Sequence, residues 1–345
     1  MKIIFPAVAG NPFLKARLAP KLLGGALPHA LILEGKAGSG KRTIATGIAM
    51  AAACEKRGDP TAPLPCGECE ACRKIGERLS PDILRISRAP GKATLGVDAV
   101  RAVRESVRAV PNDLDIKIYI IEDADTMTVQ AQNALLLTLE EPPRYVLFLL
   151  LTTDAGALLE TIRSRAPVYR TQPVEEAEMR EYLTAHSPEA ARLFANSPEA
   201  AAEILRLSGG SIGAALSHIA GAEREALLLA RENAAGVCRM LAERTSPSEL
   251  LTLMLSFPRS RDELTAQLEL LRLSLRDLCL LSRTEEAPLC FYTDRETAAE
   301  TAGRLPLSRW MRCARAVDSA IDALDANANV VLVITRLFDS LSGTN

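Results

Sequence analysis

The chain has 345 residues, 48% of them hydrophobic and 24% charged, and Lys+Arg 41 against Asp+Glu 43 leaves a net charge of -2. That length exceeds what one ordinary core fills, so two or three domains are expected. The near-neutral balance excludes a whole-chain electrostatic grip on nucleic acid, while a local basic patch stays open. Met1 to Pro6 is too short and too soon interrupted for a signal peptide, and no apolar run nears the roughly 20 residues of a membrane span; a cytoplasmic protein off the membrane is expected. Of the eight cysteines, four cluster and four are scattered, which suits a reducing compartment better than a secreted disulfide framework.

Residues 30–34 (Ala-Leu-Ile-Leu-Glu) read as a short buried strand running into a Gly-rich turn, followed by an Ala-rich helix to about Ala53. Asp82 to Ile86 reads as a second strand, Val97 to Ala109 as a helix, and Ile116 to Ile121 as a third strand, apolar except for Lys117. Thr128 N-caps a helix to Leu139 that Pro142-Pro143 stops, and Val146 to Leu151 is a continuously apolar fourth strand. Strands of that kind alternating with helices predict a parallel sheet covered on both faces. Past Pro173 the pattern becomes wholly helical: a small helical segment over 174–220 closes near Gly209-Gly210 and Gly213, and a larger one covers 225–345. Its last helix, about Leu307 to Leu341, is expected to break once around Ala326 to Asn329.

Gly35-Lys36-Ala37-Gly38-Ser39-Gly40-Lys41-Arg42-Thr43 follows the first strand. Gly, four residues, then Gly-Lys is the phosphate-loop spacing; its glycines let backbone N–H groups converge on phosphate oxygens at a helix N-terminus, with Lys41 placed for the outer phosphates. The hydroxyl that should hold Mg²⁺ next is replaced by Arg42, and Thr43 lies about 100° further round the helix. Glu122-Asp123 closes the third strand where such ATPases carry a metal-binding Asp and then a Glu, so both charges are present in reversed order. ATP or ADP binding stays open, and hydrolysis is put in doubt. Cys54, Cys66, Cys69 and Cys72 form C-x11-C-x2-C-x2-C, a four-thiolate set that suits a structural Zn²⁺ with no open coordination position, ahead of an Fe–S cluster or free thiols. Cys238, Cys279, Cys290 and Cys313 fall in helical periodicity as small core residues.

The order of these features, with Asn133-Ala134-Leu135-Leu136, Leu139-Glu140-Glu141-Pro142-Pro143, Thr152-Thr153 and Ser164-Arg165, resembles the bacterial DNA polymerase III clamp-loader family of gamma/tau and delta-prime subunits. The resemblance covers about residues 25–220 and implies an α/β AAA+ P-loop module followed by a small helical lid and an all-α collar, divided at 1–172, 173–222 and 223–345. It implies a place beside gamma/tau and delta in a hetero-pentameric ring that loads a sliding clamp on primed DNA. It also implies that Thr153 or Thr152 stands at the sensor-1 position, and that Arg165 is an arginine finger reaching a neighbouring subunit's ATP site. Departures from the family's ATPase members (Arg42, the order Glu122-Asp123, and Gly213 where the lid carries an arginine) point to the delta-prime kind. Such a subunit supports loading within the holoenzyme without hydrolysing ATP itself. The alternatives are an active gamma/tau-type ATPase, or a nucleic-acid protein that reads through its zinc module. The second is disfavoured because 54–79 sets five bases (Lys56, Arg57, Arg73, Lys74, Arg78) against five acids and offers no aromatic to stack a nucleobase.

Overall fold

A computed structural model describes residues 4–89, 92–284 and 286–343; residues 1–3 and 344–345, at the outer ends of the first and last expected domains, lie outside the described residues. The chain falls into two compact units, Met1–Leu183 with Gly210–Ala214, and Thr184–Gly209 with Ala215–Asn345. Among the described residues no helix is long and apolar enough to cross a membrane.

The first unit is built on five parallel strands: β1 (Ala30–Glu34), β2 (Ile83–Ile86), β3 (Lys117–Ile121), β4 (Val146–Thr152) and β5 (Val168–Arg170), in the order β2-β3-β4-β1-β5. Its helices are α1 (Pro12–Leu23), α2 (Lys41–Ala53), α3 (Glu70–Gly76), α4 (Val97–Ser106), α5 (Val129–Glu140), α6 (Glu160–Arg163) and α7 (Glu176–His186), the last crossing into the second unit. Successive strand residues point to opposite faces. Leu31, Leu33, Ile118, Ile120, Leu147 and Leu149 therefore pack on one face with Leu14, Leu18, Ile44 and Ile48 of α1 and α2. Ile32, Tyr119, Ile121, Phe148 and Leu150 pack on the other with Val100, Val103, Leu135 and Leu139 of α4 and α5. Tyr119 and Phe148, paired in register, stack with centroids 5.2 Å apart. Burial on both faces accounts for strands that read as unbroken apolar runs.

Two boundaries differ from expectation for a stated reason. The second strand starts at Ile83 because the buried Asp82 carboxylate accepts the N–H groups of Asn112 (2.8 Å), Asp113 (2.7 Å) and Leu114 (2.9 Å). Burial alone would push that carboxyl up; these donors and nearby Lys117 bring it below the usual carboxylate range. Helix α4 stops at Ser106, whose carbonyl accepts from the buried Lys117 ammonium at 2.9 Å. The one polar residue of the third strand is thus a helix C-terminal cap, favoured by the helix dipole.

The second unit is helical among its described residues: α8 (Pro188–Asn196), α9 (Pro198–Leu207), α10 (Ile212–Ile219), α11 (Gly221–Glu243), α12 (Pro247–Leu255), α13 (Arg261–Leu281), α14 (Arg295–Gly303), α15 (Leu307–Asp325) and α16 (Val330–Ser342). Helix α13 lies among α11, α14 and α15, and Leu268, Leu271, Leu275 and Leu278 are fully buried beside Trp310, Cys313 and Val317. The expected break falls between α15 and α16, where Asn329 caps the new helix by accepting from the N–H groups of Val331 and Leu332.

Candidate functional site

In an open parallel sheet, ligands bind beyond the carboxyl ends of the strands, where the strand order reverses. Here the reversal lies at β1, between β4 and β5, and the expected nucleotide residues gather at that edge. The phosphate loop leaves β1: Gly35 N–H donates to Thr152 O at 3.1 Å, Gly38 and Gly40 take left-handed φ of 71° and 84°, and α2 starts at Lys41. The Lys41 ammonium donates to the loop carbonyls of Gly35 and, at 2.8 Å, Lys36. Burial draws its pKa down against the opposing pull of Asp125 and Asp123. A second segment closes on the loop from the other side. Gly213 N–H donates to Gly38 O at 3.1 Å, and a Cβ on Gly213 would fall 2.8 Å from Gly38 Cα, so the two backbones touch.

A guanidinium stands at the place where a working phosphate loop would hold its metal ion. Arg42 Nε donates to Glu122 Oε2 at 2.7 Å, and Arg85 Nη1 stands 3.7 Å from Glu122 Oε1 while its Nη2 donates to Thr46 Oγ1 at 2.8 Å. In a working phosphate loop, Mg²⁺ joins the hydroxyl after the lysine to the acid at this strand end. Here a cationic side chain bridges the same two positions. Asp123, at φ 50°, is turned away to Arg88 (3.2 Å). Thr43 is exposed on α2. Thr153 donates through its hydroxyl to Asp125 Oδ2, and Thr152 through its own to Asp154 O at 2.8 Å. Asp125 was not among the expected site residues; its clue is the spacing Glu122-Asp123-Ala124-Asp125, which returns an acid to the edge after one tight turn. Glu34, at the end of β1, also belongs here: it accepts from Ala155 N–H at 3.1 Å and pairs with Arg170 at 2.6 Å.

The four cysteines come together as the spacing predicts. Cys54 ends α2, Cys69 and Cys72 flank the start of α3, and all four Sγ atoms lie within 4.8 Å of one another. Cys66 Sγ and Cys72 Sγ are 3.9 Å apart, close to the about 3.8 Å edge of a tetrahedron with metal–sulfur bonds of about 2.3 Å. Backbone N–H groups of Cys69 and Cys72 support the sulfurs of Cys66 (3.4 Å) and Cys69 (3.5 Å). Burial pushes the Cys54 and Cys72 thiols up; it acts on Cys66 too, but the N–H groups of Cys69 and Glu68 hold that thiol at about 7. The residues fit a tetrahedral metal ion. A helix of 13 residues is about 20 Å long, so the cluster, at the far end of α2 from the phosphate loop, is remote from the nucleotide edge. Two of its basic neighbours are paired, Lys56 with Glu68 (2.9 Å) and Lys74 with Glu70 (2.9 Å) and Asp113 (3.2 Å).

Arg165 stands apart from these groups, just past α6. Its Nη2 is 3.1 Å from Glu140 Oε1, and its Nη1 donates to Thr161 O at 3.0 Å and Ser164 Oγ at 3.4 Å. The guanidinium remains about a third exposed, at 36%.

Comparison with known proteins adds a family resemblance. Residues 10–175 match the family described as DNA polymerase III, delta subunit. The chain is 34% identical over 193 residues to DNA polymerase III subunit delta' of Escherichia coli, covering 56% of this chain and 55% of that protein. It is 36% identical over 163 residues to subunit tau of Bacillus subtilis, covering 47% of this chain and 28% of the relative. The chain thus spans about half the length of the first relative and under a third of the second. A gamma subunit-related protein from Thermotoga maritima superposes with a TM-score of 0.43 at 17% identity, over 94% of this chain and 98% of its own. Residues 10–175, just under half of the chain, are thus similar to the clamp-loader AAA+ family of bacterial DNA polymerase III subunits.

Proposed function

We propose that this chain is a delta-prime-type subunit of a DNA polymerase III clamp loader, one that assembles with gamma/tau and delta subunits and does not hydrolyse ATP. The observation that carries this reading is the Arg42–Glu122 ion pair at 2.7 Å. It fills with a fixed cation the position at which an ATPase exchanges Mg²⁺ with each turnover, so the metal and the γ-phosphate charge it neutralises lose their seat. The backbone contact of Gly213 on Gly38 supports the same reading from the opposite side. A gamma/tau-type motor is the rival; the intact glycines and Lys41 speak for it, and the ion pair speaks against it.

In this reading Arg165 is the productive group. An arginine supplied in trans neutralises charge on the transferring phosphoryl group and is worth about 10³–10⁵ in rate where it operates. Residues 173–222 serve as the lid and 223–345 as the collar that joins the ring. Leu255 of α12 and Val331 and Leu332 of α16, more than half exposed, suit a surface covered by neighbouring subunits. The four cysteines hold a structural Zn²⁺ that ties α2 to α3. Sliding clamp and primed DNA are reached through the complex.

The test is steady-state ATP hydrolysis by the isolated chain, and by the complex reassembled with this subunit or its Arg165→Ala form. No turnover by the chain alone, with a complex slowed at least tenfold by Arg165→Ala, is the expected result. Turnover by the isolated chain that vanishes with Lys41→Ala would instead make this a motor subunit.

A further inference from the structure

We propose that Glu140 is a positioning residue for Arg165, fixing the direction in which the guanidinium faces the neighbouring ATP site; this rests on the reading of Arg165 as a finger acting in trans. An arginine after a helix end swings freely unless something holds its head group, since its long side chain has many rotamers to choose from. Here the head group is held at three points. Two belong to its own turn: Thr161 O, a carbonyl freed at the end of the short α6, and Ser164 Oγ. The third is the carboxylate of Glu140, the last residue of α5, 25 positions earlier in the chain.

That third contact matters because α5 also fixes the other end of the segment carrying Arg165. Gln132 of α5 is buried; its Oε1 accepts from Leu159 N–H at 2.7 Å, and its Nε2 donates to Ala157 O at 3.3 Å and Met127 O at 3.3 Å. Helix α5 thus grips residues 157–159 on the way into α6, and the arginine on the way out. The backbone is set by Gln132 and the guanidinium plane by Glu140. Three of the five guanidinium N–H donors are engaged by these contacts, which leaves Nε–H and one Nη2–H for an acceptor outside the chain. A planar group with its plane already chosen and two donors free matches a phosphate edge better than a freely rotating one.

A finger acts on the transition state, so loosening it lowers kcat while leaving KM for ATP in place. The pair is exposed, at 36% and 48%, so its effect is small. In a complex reassembled with gamma/tau-type and delta subunits, Glu140→Ala is expected to lower the clamp-stimulated kcat about two- to fivefold, with KM and assembly on gel filtration unchanged. Glu140→Gln, which retains an acceptor, is expected to fall between. On an Arg165→Ala background, Glu140→Ala is expected to have no further effect, because the group it positions is gone. A kcat for Glu140→Ala equal to or above that of the unaltered complex overturns the proposal, as does a loss that persists without Arg165. If Arg165→Ala itself changes nothing, the reading of Arg165 as a finger fails first.

Discussion

The Arg42–Glu122 ion pair makes a definite prediction about magnesium. Glu122 is almost enclosed, with a side chain 12% exposed, whereas Arg42 is 66% exposed, so the attraction between them is screened by water on one side and is worth about 1 kcal/mol. A Mg²⁺ ion entering with a nucleotide has to displace Arg42 from Glu122 and then sit beside two guanidinium groups, Arg42 and Arg85. Any nucleotide that binds this chain should therefore bind equally well in Mg²⁺ and in EDTA. Arg42→Thr removes the resident cation and returns a hydroxyl to the position that normally meets the metal, leaving Glu122 with Arg85 at 3.7 Å. For this variant, affinity in Mg²⁺ should exceed affinity in EDTA by about five- to tenfold, the equivalent of about 1 to 1.4 kcal/mol. Fluorescence titration with a nucleotide analogue, run in both buffers on both proteins, measures the difference. An unaltered chain that already binds several-fold tighter in Mg²⁺ would refute the argument, because the ion would then have found a seat that the ion pair is said to fill.

Two further predictions concern stability. Metal analysis of the purified chain should find one zinc per molecule, and Cys66→Ser with Cys69→Ser should abolish it and lower the melting temperature of the α/β unit; four freely titrating thiols in the unaltered protein would dismiss the site. Asp82→Ala leaves three backbone N–H groups without their acceptor and should cost about 3 kcal/mol in urea unfolding; a loss below about 1 kcal/mol would mean that water replaces the carboxylate at little cost. Because the folded Asp82 carboxyl lies below its ordinary value, its contribution is fully present above about pH 4 and is lost as pH falls further through the folded value. The Asp82→Ala protein should accordingly lose less stability than the unaltered chain on going from pH 5 to pH 3.

The strands that could be read in advance were those with the most uniform environment. Residues 30–34, 116–121 and 146–151 are buried on both faces and so show as unbroken apolar runs, and β3 and β4 fall within a residue of where they were expected. Strand β5 escaped notice because three residues, Val168–Arg170, with only Tyr169 fully buried, leave no pattern to detect. Helix α1 carries an internal Pro20, which reads as a helix breaker and hides its buried face of Leu14, Leu18 and Leu22. At the site, spacing was enough for the phosphate loop and the cysteines, since local geometry brings those groups together. It could not give the pairing of Arg42 with Glu122, which depends on β1 and β3 lying two strands apart in the sheet, nor the contact of Gly213 with Gly38, which joins segments 175 residues apart.

On the proposed reading, the separation of these features explains how a chain can keep one half of a two-subunit active site while losing the other. The groups that would hold a nucleotide are spread over the ends of β1, β3 and β4 and the start of α2, and each altered position (Arg42, Glu122, Gly213) lies on that edge. Arg165 depends on none of them. Its backbone is set by Gln132 inside α5 and its head group by Glu140, Thr161 and Ser164. Substitution on the nucleotide edge therefore leaves the outward-facing arginine undisturbed, because no hydrogen bond runs from the one set to the other among the described contacts. On that reading, hydrolysis could be given up here without weakening the group offered to a neighbour.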